Sequence, residues 1–265
     1  RNHTSKYRTT WRVLSSEMKV IETSEGDKSG GGGGRMTKKR AVAYALLGTI
    51  KAEFFALKQS ARIKFSAEDM KFLMNLKRIN HDNLATFIGV AFNEVGMFYI
   101  MNALVDRCTL AELIQDEAFN MDERFKSAFM RDILKGMAYL HKPPINYHGL
   151  LNPTNCLIDG NWVLKLSQFG FTSLVSTLVE KKLVEMMPTG PRGASAELAG
   201  LTTAAYLSTA PEKLMNLELL KEFPKGDAMA DIYSLSTVLF CILAETATPY
   251  TSFLSGFSLH FSINT

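Results

Sequence analysis

Cysteine is scarce in this chain of 265 residues, and its three copies, Cys108, Cys156 and Cys241, form no CxxC pair. That spacing argues against a zinc site or a disulfide scaffold and for a reducing compartment. Charge of one sign is also thinly spread. The formal net charge is +4, and the basic residues gather in Lys38-Lys39-Arg40 and at the head of the chain (Arg1, Lys6, Arg8, Arg12), not along one helical face. This argues against nucleic-acid binding, although a basic head suits a position near an anionic membrane surface. No charged segment followed by an apolar run opens the chain, so no signal peptide is visible. The most apolar helix-like run, Ile232 to Ala244, falls short of the ~20 residues that span a bilayer and reads as a buried core helix. There is no internal repeat. The Asn2-His3-Thr4 sequon carries no weight in a segment that reads as cytosolic.

What is present is enough apolar material for a folded body: 46% hydrophobic against 21% charged residues. The length suits one two-lobed domain or two small ones. Residues 1–37 read as a leader in which Trp11 to Leu14 and Met18 to Ile21 form short strands before a polar stretch runs into Gly30 to Gly34. Five glycines without a following Lys-Ser/Thr, and without a flanking strand and helix, are a flexible linker and not a phosphate loop. Ala41 to Ala45 and Phe54 to Lys58 predict two strands around a turn at Gly48 to Lys51. Ser66 and Asp69 form a capping-box variant that opens a helix with Met70, Leu73, Met74 and Leu76 on its apolar face. His81-Asp82-Asn83 ends it, and strands follow at Leu84 to Val90 and Met97 to Ala103.

Helices dominate the second half. Leu110 to Asp116 is short. Asp122 to His141 is long and amphipathic, with a stripe of Phe125, Phe129, Ile133, Met137 and Leu140 that ends at Pro143-Pro144. Cys156 to Ile158 and Val163 to Leu166 flank Asp159-Gly160-Asn161 as a hairpin. From about Val175 to Ser208 the composition predicts a long mobile loop. Strands followed by helices indicate an α+β chain with a small sheet lobe and a larger helical lobe.

Taken in order, these landmarks resemble a protein kinase domain over residues 38–250, with an N-lobe of about 38–102 and a C-lobe of about 106–250. Phe55-Ala56-Leu57-Lys58 resembles the Val-Ala-Ile-Lys strand. His148 to Asn155 resembles the catalytic loop, Gln168-Phe169-Gly170 the Asp-Phe-Gly turn and Ala210-Pro211-Glu212 the Ala-Pro-Glu element. Asp231-Ile232-Tyr233-Ser234 opens the large buried helix. No GxGxxG precedes the first of these strands, so the usual lid over ATP phosphates is missing or replaced. The run His148-Gly149-Leu150-Leu151-Asn152-Pro153-Thr154-Asn155-Cys156-Leu157-Ile158-Asp159, the segment Asn83 to Gly89 and the Trp11-Arg12-Val13 segment are similar to the kinase-homology domain of receptor (particulate) guanylate cyclases. Gly149 is the sharpest pointer, because active kinases nearly always place arginine there.

The departures concern the chemistry. Phosphoryl transfer depends on positioning and on a few ionised groups. Leu150 stands where the proton-accepting aspartate belongs, and Gln168 stands where the metal-holding aspartate belongs and offers only a neutral oxygen. No catalytic residue and no metal site is therefore expected. Lys58 would pair with a glutamate on the first helix, but the matching position is Phe72. Glu68, one turn earlier, would substitute if the helix shifted; otherwise Lys58 holds a nucleotide phosphate or reaches to water. Asn155 reads either as the retained second metal ligand or as a loop-capping amide. His148 reads as a buried scaffold residue. The resemblance further implies that Ala56 and Leu157 sandwich an adenine ring, that Leu76, His148 and Phe169 stack as a spine between the lobes, and that Asp231 anchors it.

The function this implies is a pseudokinase module that regulates a receptor guanylate cyclase in cGMP signalling, with weak, Mg²⁺-independent ATP binding through Ala56, Lys58, Asn155 and Leu157. The alternatives are a residual phosphotransferase and a scaffold that needs no nucleotide. The implied partners are a cyclase domain and a second receptor subunit in a homodimer, and the implied location is the cytoplasmic face of the plasma membrane. The tail 251–265 matches nothing in the resemblance, and the C-lobe reads as incomplete. Exposed apolar surface on the helix from Ile232 is then expected.

Overall fold

The computed structural model describes residues 11–21, 44–93, 96–185 and 226–246. Its organising strand is β4 (Ile50–Gln59), which pairs antiparallel with β6 (Gly96–Ala103) from Ala52↔Ala103 to Gln59↔Gly96. A short turn at Gly48 returns it to β3 (Tyr44–Leu47), the neighbour on its other side. β5 (Phe87–Ala91) extends the sheet beyond β6.

Two further strands close the path of this sheet. β1 (Arg12–Val13) runs parallel to β5, and β2 (Met18–Ile21) runs antiparallel to β3, giving the order β1-β5-β6-β4-β3-β2. Both lie in the segment that the sequence reading placed in a leader; in the structure they belong to the sheet. Trp11 explains why. Its ring is buried and meets Phe65 edge-on at 5.6 Å, so detaching the segment would return a large aromatic surface to water. Gly89 admits the approach, because a Cβ there would come within 2.3 Å of the Trp11 carbonyl oxygen.

Helix α1 (Ala67–Arg78) starts at the predicted capping box: Asp69 N–H donates to Ser66 Oγ at 3.1 Å, and Ser66 N–H donates to the Asp69 carboxylate at 2.9 Å. It turns Leu73 and Leu76 inward. The second lobe begins with β7 (Cys108–Thr109) and the short α2 (Leu110–Ile114). Helix α3 (Glu123–Leu140) follows, with Asp122 as N-cap and the predicted stripe in place: Phe129, Ile133, Met137 and Leu140 are buried and Phe125 half-buried. The predicted hairpin is β8 (Cys156–Ile158) with β9 (Leu164–Leu166); Asp159 organises its turn by accepting from Asn161 N and Val163 N.

Two expectations change. The loop expected from 175 begins as helix α4 (Thr172–Glu180), followed by β10 (Val184–Glu185), which pairs antiparallel with Gln59 and Lys58 of β4. Leu174, Val175 and Leu178 of α4 are buried, and this packing overrides a composition rich in hydroxyl and β-branched residues. The remainder of that stretch, 186–208, lies outside the described residues, as do Ala41 to Ala43, the glycine tract, Ala210-Pro211-Glu212 and the tail from 251. Helix α5 (Ala228–Ala244) is the expected apolar helix, but it is not buried on every side. Asp231, Ser234, Val238, Cys241 and Ile242 face inward, whereas Met229, Ile232, Phe240 and Leu243 are exposed. The exposure expected on this helix is therefore present.

Candidate functional site: a kinase-like catalytic loop without its carboxylates

Asp231, in the first turn of α5, anchors the loop from beneath. Its carboxylate accepts from His148 N at 2.5 Å and Gly149 N at 2.8 Å, and it lies 3.0 Å from His141 Nε2. The anchoring role implied for Asp231 is thus visible as a carboxylate tying three groups together. Above it the loop closes on itself. The Leu150 carbonyl accepts from Asn152 Nδ2 at 2.9 Å and also from Asn155 Nδ2, while Thr154 N donates to Asn152 Oδ1 at 2.8 Å. Asn155 is buried and its Nδ2 closes the loop, as in the loop-capping reading. The Leu150 side chain is fully buried in the core. A carboxylate there would be desolvated without a partner.

His148 is equally buried, and its ring meets Phe169 at 6.2 Å, near edge-to-face. Burial pushes its pKa from 6.5 down to about 4, against the pull of the Asp231 carboxylate. Leu150 N donates to its Nδ1 at 3.2 Å, so the neutral ring carries its proton on Nε2, which is buried without a partner. It is a scaffold histidine. Gly149 has φ of 89°, and a Cβ there would lie 2.5 Å from Thr172 Oγ1. The residue that sets this loop apart from active kinases is therefore required by the first residue of α4.

The Gln168-Phe169-Gly170 turn packs on the same loop: Gly170 N donates to the His148 carbonyl at 2.8 Å, and Phe169 is buried. Gln168 takes a left-handed φ of 57° and is half-buried. Leu76 and Phe72 of α1 lie over Gly170, with the Phe72 ring 3.7 Å from where a Cβ would be. Where a kinase would hold this helix by an ion pair, this chain holds it by apolar contact. Of the residues expected to form a spine, Leu76 and Phe169 share one buried core, and Phe169 meets His148 near edge-to-face.

The remaining expected residues separate. In an antiparallel ladder, residues directly opposite share a face. Phe55 and Leu57 pair with Ile100 and Phe98 on the face that packs on α1 and the second lobe. Ala56 and Lys58 pair with Tyr99 and Met97 on the other face. Leu157 is buried beside Ala85 and Val105, close in sequence to Asn155. On this ladder Ala56 and Lys58 share the face opposite Phe55 and Leu57, and Leu157 belongs to a separate small apolar cluster. The crevice on the inner face is occupied by Phe55 stacked on Phe171 at 5.7 Å. The space left between these rings, Glu53, Asn102 and Gln168 is about 10 Å³, room for about one water. That space has no room for a nucleotide. Among the described residues, no cluster of three or more His, Cys, Asp or Glu side chains is suited to a metal.

Lys58 pairs instead with Glu185 of β10, Nζ to Oε2 at 3.2 Å, and Ser60 Oγ donates to Glu185 Oε1 at 2.9 Å. The Ser60 hydrogen bond and then Lys58 hold the Glu185 carboxyl below its ordinary pKa. Glu68, the substitute partner considered for Lys58, is exposed on α1. Glu185 and Ser60 carried no signal in the sequence, because a two-residue strand has no periodicity to read.

The protein kinase domain model matches residues 39–253. Receptor-type guanylate cyclase gcy-27 of Caenorhabditis elegans is 36% identical over 265 aligned residues, covering 94% of this chain and 35% of that protein. Receptor-type guanylate cyclase gcy-10 of the same organism is 35% identical over 262 residues, covering 92% of this chain and 24% of that protein. Retinal guanylyl cyclase 2 of Rattus norvegicus is 32% identical over 185 residues, covering 70% of this chain and 15% of that protein. The chain thus spans about a third or less of the length of these relatives. Among the described residues, no helix is long and apolar enough to cross a membrane.

Proposed function

Since the chain belongs to the protein kinase family and its kinase-like domain is homologous to that of receptor guanylate cyclases, we propose that it is a catalytically silent regulatory module of such a receptor. It acts in cGMP signalling through its shape, without transferring phosphate and without requiring nucleotide. The observation that carries this reading is Leu150. At the position of the proton acceptor, the chain has a side chain fully buried in the core and a carbonyl committed to two loop amides. The neutral Gln168 and the filled crevice of Phe55 on Phe171 support it. The Lys58–Glu185 pair disfavours the ATP-sensing alternative, since the lysine that would meet phosphate is engaged on the opposite face. In this reading the partners are a cyclase domain and a second copy of the receptor, at the cytoplasmic face of the plasma membrane.

A thermal-shift titration tests it. ATP at about 5 mM, with or without Mg²⁺, is expected to leave the melting temperature unchanged, because only a ligand that binds the folded state raises it. Stabilisation by ATP without Mg²⁺ would replace the nucleotide-independent reading with a nucleotide-sensing one. Transfer of labelled phosphate that requires Mg²⁺ and is abolished by Lys58→Met would overturn the catalytically silent reading altogether.

A further inference from the structure

We propose that the outer face of α3 is a docking surface for an acidic amphipathic helix of a partner protein. Residues three and four apart on a helix lie on one face. On α3 that spacing leads from Arg124 by way of Ser127 to Arg131, and on to Leu134, Lys135 and Tyr139, all of them exposed. Phe129, Ile133 and Leu140 are buried on the opposite side. Lys142, also exposed, continues the row just past the helix. None of the four cations, Arg124, Arg131, Lys135 and Lys142, has an ion pair among the described residues. The sequence showed no basic helical face here because Asp122, Glu123 and Asp132 stand among the cations. The structure takes each acid out of the row. Asp122 caps the helix, Glu123 lies 3.5 Å from Lys126, and Asp132 accepts from Leu164 N at 3.0 Å.

The row works against the helix that carries it. Arg124 sits in the first turn, where the macrodipole disfavours a cation, and Arg131 and Lys135 are like charges at i, i+4. No carboxylate among the described residues pairs with any of them, so the complementary charge belongs to a partner. The exposed face of α1 differs: there Glu68 precedes Lys71 by three residues, an arrangement that supports a helix. Leu134 and Tyr139 flank the cations on either side, 47% and 37% exposed, and add apolar contact. Ser127 and Ala138 leave low ground between the long side chains, which suits the ridge of a second helix. From Arg124 to Lys135 the row is about 17 Å long, roughly three turns of such a partner. A lipid surface fits less well, because the Tyr139 ring is held against His81 at 4.9 Å and is not free to insert. The matching partner carries carboxylates along one face with a leucine-like side chain beside them. This surface lies apart from Lys58 and the crevice, so it goes beyond the shape-based reading and does not rest on it.

Fluorescence anisotropy on the 265-residue chain tests the surface. The probes are a labelled synthetic helix bearing glutamates and leucines on one face, the same peptide with lysine in place of glutamate, and phosphatidylserine vesicles. The glutamate peptide is expected to bind, and to bind more weakly as salt rises. Arg131→Glu/Lys135→Glu should weaken it by about ten-fold or more and turn the preference to the lysine peptide. Leu134→Ser should weaken it about three-fold or more and leave the preference unchanged. Lys64→Glu/Lys71→Glu makes the same change in net charge on the exposed surface of the first lobe and should leave binding within about two-fold. Arg124→Glu should weaken binding while leaving the melting temperature unchanged or higher, because an anion suits the helix N-terminus. A purely structural arginine would show the opposite, a lower melting temperature. Absence of glutamate-peptide binding, an equal loss in the first-lobe reversal, binding to vesicles without binding to peptide, or a lowered melting temperature for Arg124→Glu would each overturn the docking surface. None of these readouts involves nucleotide, so the surface can fail while the titration above stands, and the reverse.

Discussion

Putting a side chain back at position 149 is the perturbation whose cost the structure specifies best. Gly149→Ala places a Cβ on a residue with φ of 89°, which costs an L-residue about 1–2 kcal/mol. The same Cβ would sit 2.5 Å from Thr172 Oγ1 and 3.0 Å from Thr172 Cγ2, and Thr172 is itself fully buried. Relieving that crowding adds about 1–3 kcal/mol. The sum, about 2–5 kcal/mol, is a large share of the 5–15 kcal/mol typical of a folded domain. Thr172→Ala alone should be close to neutral, because the methyl it gives up is worth about 0.8 kcal/mol and the hydroxyl it removes is buried without a partner. Combined with Gly149→Ala, it should remove the crowding and leave only the backbone cost. Urea titrations of the four proteins give the coupling between the two sites as a difference of midpoints at constant slope. A Gly149→Ala variant within about 0.5 kcal/mol of wild type, or a double variant as unstable as the single one, would refute the reasoning. The corollary concerns attempts to rebuild a kinase. Gly149→Arg meets the same wall, and Leu150→Asp buries an unpaired carboxylate, so with Gln168→Asp the set is expected to unfold the domain and not to activate it.

Three further outcomes can be checked with the same protein. His148 has a folded pKa of about 4 against about 6.5 when unfolded, so between those values the unfolded chain binds the extra proton. Its contribution is complete above pH 6.5 and is lost as pH falls toward 4, by roughly 3 kcal/mol at most; His148→Phe should flatten that slope in urea titrations run from pH 7 to pH 4.5. Burial pushes the Cys241 thiol up to about 11 and the Cys156 thiol further still, so iodoacetamide at pH 8 should label neither until urea is added, as peptide mass mapping will show. Phe72→Glu restores an acid at the matching helix position but removes the ring over Gly170. It should cost about 1–3 kcal/mol and show no coupling with Lys58→Ala beyond about 0.5 kcal/mol, because Lys58 lies on the opposite sheet face.

Local chemistry was legible in the sequence wherever one residue type has one use. Ser66 with Asp69 capped α1 as read, Asp159 organised the hairpin turn, and Asp122 and His141 bounded α3. The face of β4 was not legible. Phe54-Phe55-Ala56-Leu57 is apolar throughout, so it lacks the alternation that tells the inner residues from the outer ones, and a shift of one residue exchanges the faces. The resemblance put Ala56 and Lys58 inside; the ladder with β6 puts Phe55 and Leu57 there. Helix α4 was hidden for a related reason. Thr172-Ser173-Leu174-Val175-Ser176-Thr177 has weak helix propensity, and what makes it a helix is burial against a core that its own sequence does not reveal.

These positions bear on whether Leu150 and Gln168 are decay or design. A site that had merely lost its carboxylates would keep its cavity, its glycine-independent loop and a free lysine. Here the loop's next residue, Gly149, is the one that Thr172 requires, and Thr172 opens a helix whose far end engages Lys58. Leu150 belongs to the buried core, and Phe72 replaces an ion pair with contact over Gly170. The departures at 149, 150 and 72 are thus each occupied by a packing contact that restoring the kinase residue would break. Restoring one residue at a time would therefore move the domain away from both folds of behaviour, less stable than it is now and no nearer to phosphoryl transfer. A chain in which the missing chemistry has been replaced by contacts between the lobes is suited to transmitting a change of shape, and the stability of variants at 149, 150 and 72 measures how far that replacement has gone.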